Sequence, residues 1–576
     1  MNPGRGRLRR VLLLAALGTA ALLVVRVALH RPLAVAGEAP GDGYSRIPAV
    51  LHVHTTLSDG GGTPEEVIRA AREAGVAVLG ITDHNNLDAK PFEGYRDGVL
   101  VLVGSELSTP SGHVLGVGLE RDPAFRFNGD ALDALEDVRH LGGVPFAAHP
   151  FSTRADLRWT GFDLPGPWGL ELLNGDSDAR RAGPRLLLTA FFYRLNPDYA
   201  LLAAASGIDP VLERWDALLA EREVVGLAGA DAHSRIPITR TRALRFPAYQ
   251  ALFRQARNQL LLAAPLSGDA AADRAAVLDA VAAGRFYIGL DTLALAGGFS
   301  FTVEDALGRR FTMGDQVDAA APLRASAGGR VPQGTRIVLR RDGQVVGEGR
   351  SRLELALPGP GVYRVEAWVP GWPVPWIVTN PVYVFDAATR EARRQRAAWP
   401  GPPAPTRESA PLRFATDPPF TAEHDSSSTM DASVVETKAG PGGADAFRLG
   451  FQLAPPGPEG FTWCALVNRE ARDLGEWAGL RFRMRADGEY RLWIQLRDPN
   501  PASADEGLEW WMASARTSTG WSEVQLPFSR FRTLNPRSDG RLDPDETRAV
   551  VFMLDHASVK PGTRGRIWFT DVGVYR

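Results

Sequence analysis

The chain has 576 residues, with 65 basic and 67 acidic side chains, ten histidines and one cysteine, Cys464. This length exceeds a single hydrophobic core and predicts roughly three or four domains. The near-cancelling charge gives no electrostatic argument for nucleic-acid polymer or an anionic membrane surface as the main partner, and the lone cysteine excludes an internal disulfide and a thiolate metal cluster, so any metal site must use His, Asp and Glu.

Arg5, Arg7, Arg9 and Arg10 precede the apolar run Val11 to Val25. A basic end followed by an apolar stretch predicts a cytoplasmic N-terminus, a membrane-inserted helix and an exported remainder, in the periplasm or at the cell surface. Residues 1–30 are read as an uncleaved signal anchor. Arg26, His30 and Arg31 make a long gap before the small residues Ala34 to Ala36, and no lipobox cysteine follows. A signal peptide cleaved there, giving a secreted protein, is the alternative. Residues 31–45 form a linker.

From residue 46 to 300, short apolar runs alternate with amphipathic helical patterns, which predicts parallel strands in a βα-repeat domain. Thr63-Pro64-Glu65-Glu66 combines an N-cap, a first-turn proline and a capping-box glutamate, and Gly75 ends the helix. Further strands are expected at Val99 to Val103, Val114 to Val117, Val144 to Ala147, Leu170 to Leu173, Val224 to Leu227 and Phe286 to Leu290. Arg185 to Leu219 is an apolar helical insertion, read as core packing, with a lid over the barrel as the alternative. Alternating strands over 301–386 predict a small β-sandwich, residues 387–420 a Pro-rich linker, and residues 421–576 a second all-β domain holding half of the fourteen tryptophans.

The histidines fall where the strands end. His52 and His54 share one face of the first strand because side chains alternate with a period of two, and Asp59 follows in the loop. His84 ends the second strand in "TDHN", Glu106 the third in "GSE", and His113 lies in the loop "SGH". His149 follows in "AHP", and Asp231 and His233 come in "GADAH". In an α/β barrel the carboxyl ends of the strands build the site. Nine such residues exceed the four or so that one zinc needs, so two to three divalent ions, Zn, Mn or Fe, are expected.

These motifs, in this order and spacing, resemble the PHP (polymerase and histidinol phosphatase) superfamily of metallophosphoesterases. The resemblance covers residues 46–300 and implies a distorted seven-stranded (βα) barrel with a trinuclear metal centre. It places one ion on His52, His54, Glu106 and Asp231, a second on Glu106, His113 and His149, and a third on Asp59, His84 and His233. The fold class is therefore α/β. The sandwich after the barrel is similar to an immunoglobulin-like extension, and the tail to a jelly-roll (galactose-binding-like) carbohydrate-binding domain, with Trp510 and Trp511 as sugar platforms against a core-filling alternative.

Closely spaced ions lower the pKa of a bound water and neutralise phosphoryl oxygens, which points to hydrolysis of a small-molecule phosphate ester or a glycan phosphate. Asp231 or His233 would pass a proton to the leaving oxygen. Arg154, Arg158 and Arg235 are the candidate phosphate contacts, and Glu171 and Asn174 substrate or supporting contacts. His140 is read as a surface residue. A carbamate or carboxylic ester hydrolase on the same centre, as in the carbaryl-hydrolase-like group of the superfamily, is the alternative, and an envelope glycan-binding protein a second.

Overall fold

The computed structural model describes residues 3–175, 177, 186–205, 208–239, 242–320, 322–399, 408–431, 433–455, 460–503 and 507–576, with the side chains of 3–11, 20, 186–188 and 237 excepted. Arg185 at the start of the expected insertion, residues 400–407 of the expected linker, and the side chains of Arg5, Arg7, Arg9 and Arg10 lie outside the described residues. The first helix, α1, is Pro3–Ala28. Among the described residues no helix is long and apolar enough to cross a membrane.

Strand β1 (Ser45–Val53) begins a closed ring. Helix α2 (Pro64–Ala74) follows, started by the reciprocal capping box of Thr63 and Glu66 and ended by Gly75 at φ 73°. Strands β2 (Val78–Ile81) and β3 (Val99–Val103) continue the ring in parallel, and β3 runs past Gly104 into β4 (Ser105–Thr109). β5 (Gly112–Val117) turns back antiparallel on β4 and pairs antiparallel with β6 (Val144–Ala147), which follows helix α3 (Ala131–His140). β7 (Gly169–Asn174) and β8 (Gly226–Ala232) return to parallel pairing, and β8 closes on β1. The expected parallel order therefore fails at β5, because the short turn between Thr109 and Gly112 can only make a hairpin.

Between β7 and β8 lie α4 (Leu186–Leu195), α5 (Pro197–Ala204) and α6 (Asp209–Glu221). Leu201, Leu202, Leu212, Trp215 and Leu219 of α5 and α6 are buried, so these two helices pack as core. Then come α7 (Tyr249–Gln255), β9 (Arg257–Leu262), α8 (Ala270–Ala283) and β10 (Phe286–Gly289). β9 pairs antiparallel with the amino-terminal half of β1 and with β10. Leu51, Leu100, Leu102, Phe146, Leu227 and Phe286 fill the core, each worth about 1.5–3 kcal/mol on burial.

β10 also pairs with Ile377–Thr379, so the expected divide at residue 300 is bridged by a hydrogen-bonded ladder. Residues 299–385 supply an antiparallel sheet of Arg310–Phe311, Phe299–Asp305, Leu323–Gly329 and Leu353–Ala356, and further strands joined through Gly361–Trp368. Buried Arg364 bonds Asp216 of α6 at 2.7 and 2.6 Å and Glu366 at 2.6 Å. One compact unit thus comprises residues 1–120 and 138–399.

The second unit comprises residues 121–137 and 400–576. An antiparallel seven-stranded sheet centred on Arg564–Tyr575 and an antiparallel five-stranded sheet centred on Ala549–Asp555 enclose Leu449, Phe482, Ile494, Phe552 and Phe569. Within this unit Asp133 accepts from Ser514 at 2.6 Å and Arg530 at 2.9 Å, and Arg491 pairs with Asp137. Trp511 is buried in the core and donates to Asp498 at 3.0 Å, while Arg497 lies 4.2 Å from the ring centroid of Trp510. Trp511 therefore offers no bare face to a sugar, while Trp510 is half-buried with Arg497 over its ring.

Candidate metal centre

The ring brings all nine expected ligands to one rim. His52, His54, Glu106 and Asp231 offer ligand atoms within 4.8 Å of one another, as do His54, Asp59, His84 and His233, and as do His84, Glu106 and His113. His149 Nε2 lies 2.7 Å from Glu106 Oε1. The grouping differs from expectation in two respects: His54 also faces the Asp59 set, and His84 sits with Glu106 and His113.

Local folding accounts for these positions. His113 is not in a loop but on the antiparallel strand β5, whose amino end lies on the same rim as the carboxyl ends of its neighbours. β8 runs to Ala232, beyond the expected end at Leu227, so Asp231 lies on a strand. The β8–β1 ladder is irregular between Gly229 and Ala232, and His52 and Asp231 adopt φ of 66° and 45°. His149 has φ 29°. Positive φ costs a non-glycine residue of order 1–3 kcal/mol and persists where surrounding structure over-determines it, commonly at functional sites.

Hydrogen bonds fix which ring nitrogen is free. His52 Nδ1 is 2.6 Å from Glu171 Oε1, which leaves Nε2 directed at Glu106 and Asp231, 3.0 and 3.4 Å away. His149 Nδ1 faces the Leu157 carbonyl at 3.1 Å, again freeing Nε2. The tautomers follow from these partners. His52 Nε2, both nitrogens of His54, His84 Nδ1 and Asp231 Oδ1 are buried without a hydrogen-bond partner. Buried polar atoms without partners are costly, and here five converge in a mixed imidazole and carboxylate set, which fits divalent ions.

Glu171 and Asn174, expected as substrate or supporting contacts, are both buried beneath the cluster, which fits support. Glu171 Oε2 accepts from the His149 backbone N–H at 2.6 Å and from Asn174 Nδ2 at 2.9 Å, and Asn174 Nδ2 also reaches Asp231 Oδ2 at 3.1 Å. They orient ligands rather than face solvent. Gly229 is required beside them, since a Cβ there would lie 1.7 Å from Glu171 Oε1.

Arg154 pairs with Asp156, and Arg158 donates to the Ser152 carbonyl at 3.1 Å. Arg235 is exposed and donates to the Asp59 carbonyl at 3.2 Å, which places its guanidinium at the rim. His140 is exposed at the end of α3.

Two supporting residues escaped the sequence reading. Asp83 accepts from the Thr55 backbone at 2.7 Å, the Thr55 hydroxyl at 2.8 Å and the Ser58 hydroxyl at 2.5 Å, shaping the loop that carries Asp59. Its position beside His84 in "TDHN" was the available signal. The Tyr249 hydroxyl lies 2.8 Å from the carbonyls of both His54 and His233, donates to one at a time, and accepts from Gly61 at 3.2 Å. No local signal marked it.

Burial disfavours charge on His52, yet the carboxylates of Glu171, Asp231 and Glu106 carry its pKa well above the ordinary value. Against the same burial, Glu106 raises His149 to about 9, and Asp59 and Asp231 raise His233 to about 9. Burial lowers His84. Glu106 and Asp231 lie well below the carboxylate range despite burial, chiefly because of His52. The site is a well of negative potential that holds protons on imidazoles and would equally hold cations.

Residues 51–141 match the PHP domain. An uncharacterized protein of Methanocaldococcus jannaschii is 30% identical over 119 residues, which cover 18% of this chain and 68% of that one. The chain belongs to the PHP-domain family. A phosphoribosyl 1,2-cyclic phosphate 1,2-diphosphodiesterase of Eggerthella lenta is 40% identical over 79 residues, covering 12% of this chain and 30% of the enzyme. A 5'-3' exoribonuclease of Salmonella typhimurium is 32% identical over 164 residues, covering 26% and 52%. The match thus spans about a third and about half of these two enzymes' lengths, one named a diphosphodiesterase and the other an exoribonuclease. A two-domain protein from Bacteroides vulgatus containing a predicted PHP-like metal-dependent phosphoesterase aligns over 61% of this chain and 98% of its own, at 13% identity and a TM-score of 0.29, too low to bear on fold or function.

Proposed function

We propose that the PHP domain of this chain is a multi-metal phosphoesterase acting on a phosphate ester of a small molecule or glycan, held at the extracytoplasmic face of a membrane by α1. The observation that carries the catalytic reading is the convergence of five unpartnered buried donor atoms on a rim built by nine His, Asp and Glu residues. His52, His54, Glu106, Asp231, Asp59, His84, His113, His149 and His233 would hold two to three divalent ions, Zn, Mn or Fe. When bound, such ions supply Lewis acidity and activate water.

The protein's own groups do the rest. Glu171 holds the His52 ring, Asn174 holds Asp231, and Tyr249 ties the backbones of His54 and His233. Arg235, exposed and bonded to the Asp59 carbonyl, would engage a phosphoryl group with its planar fork. Asp231 or His233, which lie side by side, would pass a proton to the leaving oxygen only in a loading state that leaves that group off the ions. The carbamate or ester reading has weaker support, because α5 and α6 bury their apolar faces in the core and a guanidinium stands at the rim.

A screen of phosphomonoesters, phosphodiesters, aryl esters and carbamates with added Mn²⁺ or Zn²⁺ separates the readings. Turnover of a phosphate ester that a chelator abolishes is expected. Turnover confined to aryl esters or carbamates would replace the phosphoesterase reading.

A further inference from the structure

After β8 the chain leaves the rim at His233 and forms a small hairpin in which Ile236–Pro237 pairs antiparallel with Ala243–Leu244. Ile236 and Leu244 are register partners, and Ile238 N–H donates to the Arg242 carbonyl at 2.8 Å, which continues the register by one pair. Cross-strand partners share a face, and residues two apart in a strand do as well. Ile236, Ile238, Leu244 and Arg242 therefore stand together. The three apolar side chains are 42%, 68% and 52% exposed, in a chain that buries most branched aliphatics completely. Single exposed aliphatics are ordinary, but three on one face of a two-stranded hairpin form a patch that water disfavours.

The patch is fixed to its surroundings. Phe246, at the end of the hairpin, lies 4.5 Å from the Tyr193 ring on α4, and the Ala248 backbone N–H donates to the Tyr193 hydroxyl at 2.9 Å. α4 itself exposes Phe191 at 53%. α4 packs beside α1, whose chain end is tied down where Asn196 donates to the His30 carbonyl at 3.0 Å. Along α1, Leu12, Leu13, Leu14, Leu17, Leu22, Leu23 and Val25 are 44–73% exposed. The charge at the hairpin is positive: Arg235, Arg242 and Arg245 are exposed, and the last pairs with Glu66 at 3.0 Å.

We infer that this hairpin is a membrane-docking element that seats on an anionic phospholipid surface, with Ile236, Ile238 and Leu244 at the level of the acyl boundary and Arg242 at the headgroups. Aliphatic side chains beside an arginine suit that boundary, because the stem of arginine lies along apolar surface while its guanidinium reaches phosphate. Juxtamembrane basic residues are drawn to the negative potential of an anionic surface. The exposed arginines around these aliphatics favour an anionic bilayer over a soluble protein partner, and this docking rests on the proposed membrane attachment through α1. The docking would hold the rim at His233 against the headgroup layer, and it holds whichever bond the centre cleaves.

The test uses the full chain carrying Ile238→Cys, labelled with an environment-sensitive nitrobenzoxadiazole dye. Cys464 is fully buried and its thiol is pushed up to about 12, chiefly by burial, so labelling is directed to the introduced thiol. The labelled chain is reconstituted into vesicles of phosphatidylcholine alone and of phosphatidylcholine with phosphatidylglycerol. Emission is expected to shift to the blue and rise at least about twofold with phosphatidylglycerol, to be quenched by spin-labelled lipid, and to lose most of the rise at about 1 M salt, where the screening length is about 3 Å. Arg242→Glu in the same background is expected to lose it too, with metal content unchanged. A probe that stays in an aqueous environment on both vesicles overturns the proposal, even if α1 carries the chain into the bilayer; equal response on both lipids overturns its anionic preference.

Discussion

At the scale of single residues the candidate centre is held in shape by groups outside the nine residues that would take the ions. Glu171 spends one oxygen on His52 Nδ1 and the other on the His149 backbone and Asn174. Glu171→Gln keeps the shape but loses the charge that fixes the His52 tautomer. Loss of such a partner typically costs 10–100-fold in metal affinity, so the concentration of Zn²⁺ or Mn²⁺ for half-loading should rise by about that factor in a competition titration. Protonation sets a second expectation. Histidines 149 and 233, raised to about 9 without metal, are charged at pH 7, whereas ligation needs neutral imidazole. Loading at pH 7 should release protons, and affinity should rise as pH goes from about 6.5 through 9. Calorimetry in buffers of different ionisation enthalpy measures the release; none at pH 7 would contradict it. Most of the residues that meet at the rim were legible because they sit in short polar motifs at the end of an apolar run, whereas His113 opens its strand. Support was one of two readings for Glu171 and Asn174, but which histidine each would meet was not legible, since the His52 ring that Glu171 holds lies 119 positions away.

Among elements, the capped helix α2 and the buried strand β3 were readable from local chemistry alone: a Thr-Pro-Glu-Glu start, a glycine stop, an unbroken aliphatic run. Thr63→Ala should cost about 1 kcal/mol in chemical denaturation, the usual loss for an N-cap. The reversal at β5 was not readable, because the βα pattern around it predicts parallel strands, and only the tightness of the turn at Gly112 decides otherwise. The reach of Tyr249 from α7 to the carbonyls of His54 and His233 is likewise a tertiary contact. Tyr249→Phe removes the hydroxyl that pairs these carbonyls, and about 1–3 kcal/mol of stability should go with it, together with weaker metal binding. A variant as stable and as well loaded as the parent would show that the hydroxyl is not what joins the two loops.

In the whole molecule, the alternation of patterns revealed an α/β domain followed by β domains, but not how the chain divides. Residues 121–137 belong with the C-terminal unit through Asp133 and Asp137, whose partner Arg491 lies 354 positions from Asp137. Nor was the ladder from β10 to Ile377–Thr379 foreseeable, since it joins stretches whose patterns looked like separate domains. Cys464, buried in the C-terminal sandwich, should resist iodoacetamide at pH 8 in the folded chain and react once the chain is unfolded, because its thiolate is almost unpopulated. The central claim, a multi-metal centre on one rim, is tested most directly by the metal content of the purified full chain and of His52→Ala. About two to three ions per chain are expected, given that one zinc takes about four ligands, with a clear loss in the variant. Fewer than about one ion per chain, unchanged by His52→Ala, would contradict the account.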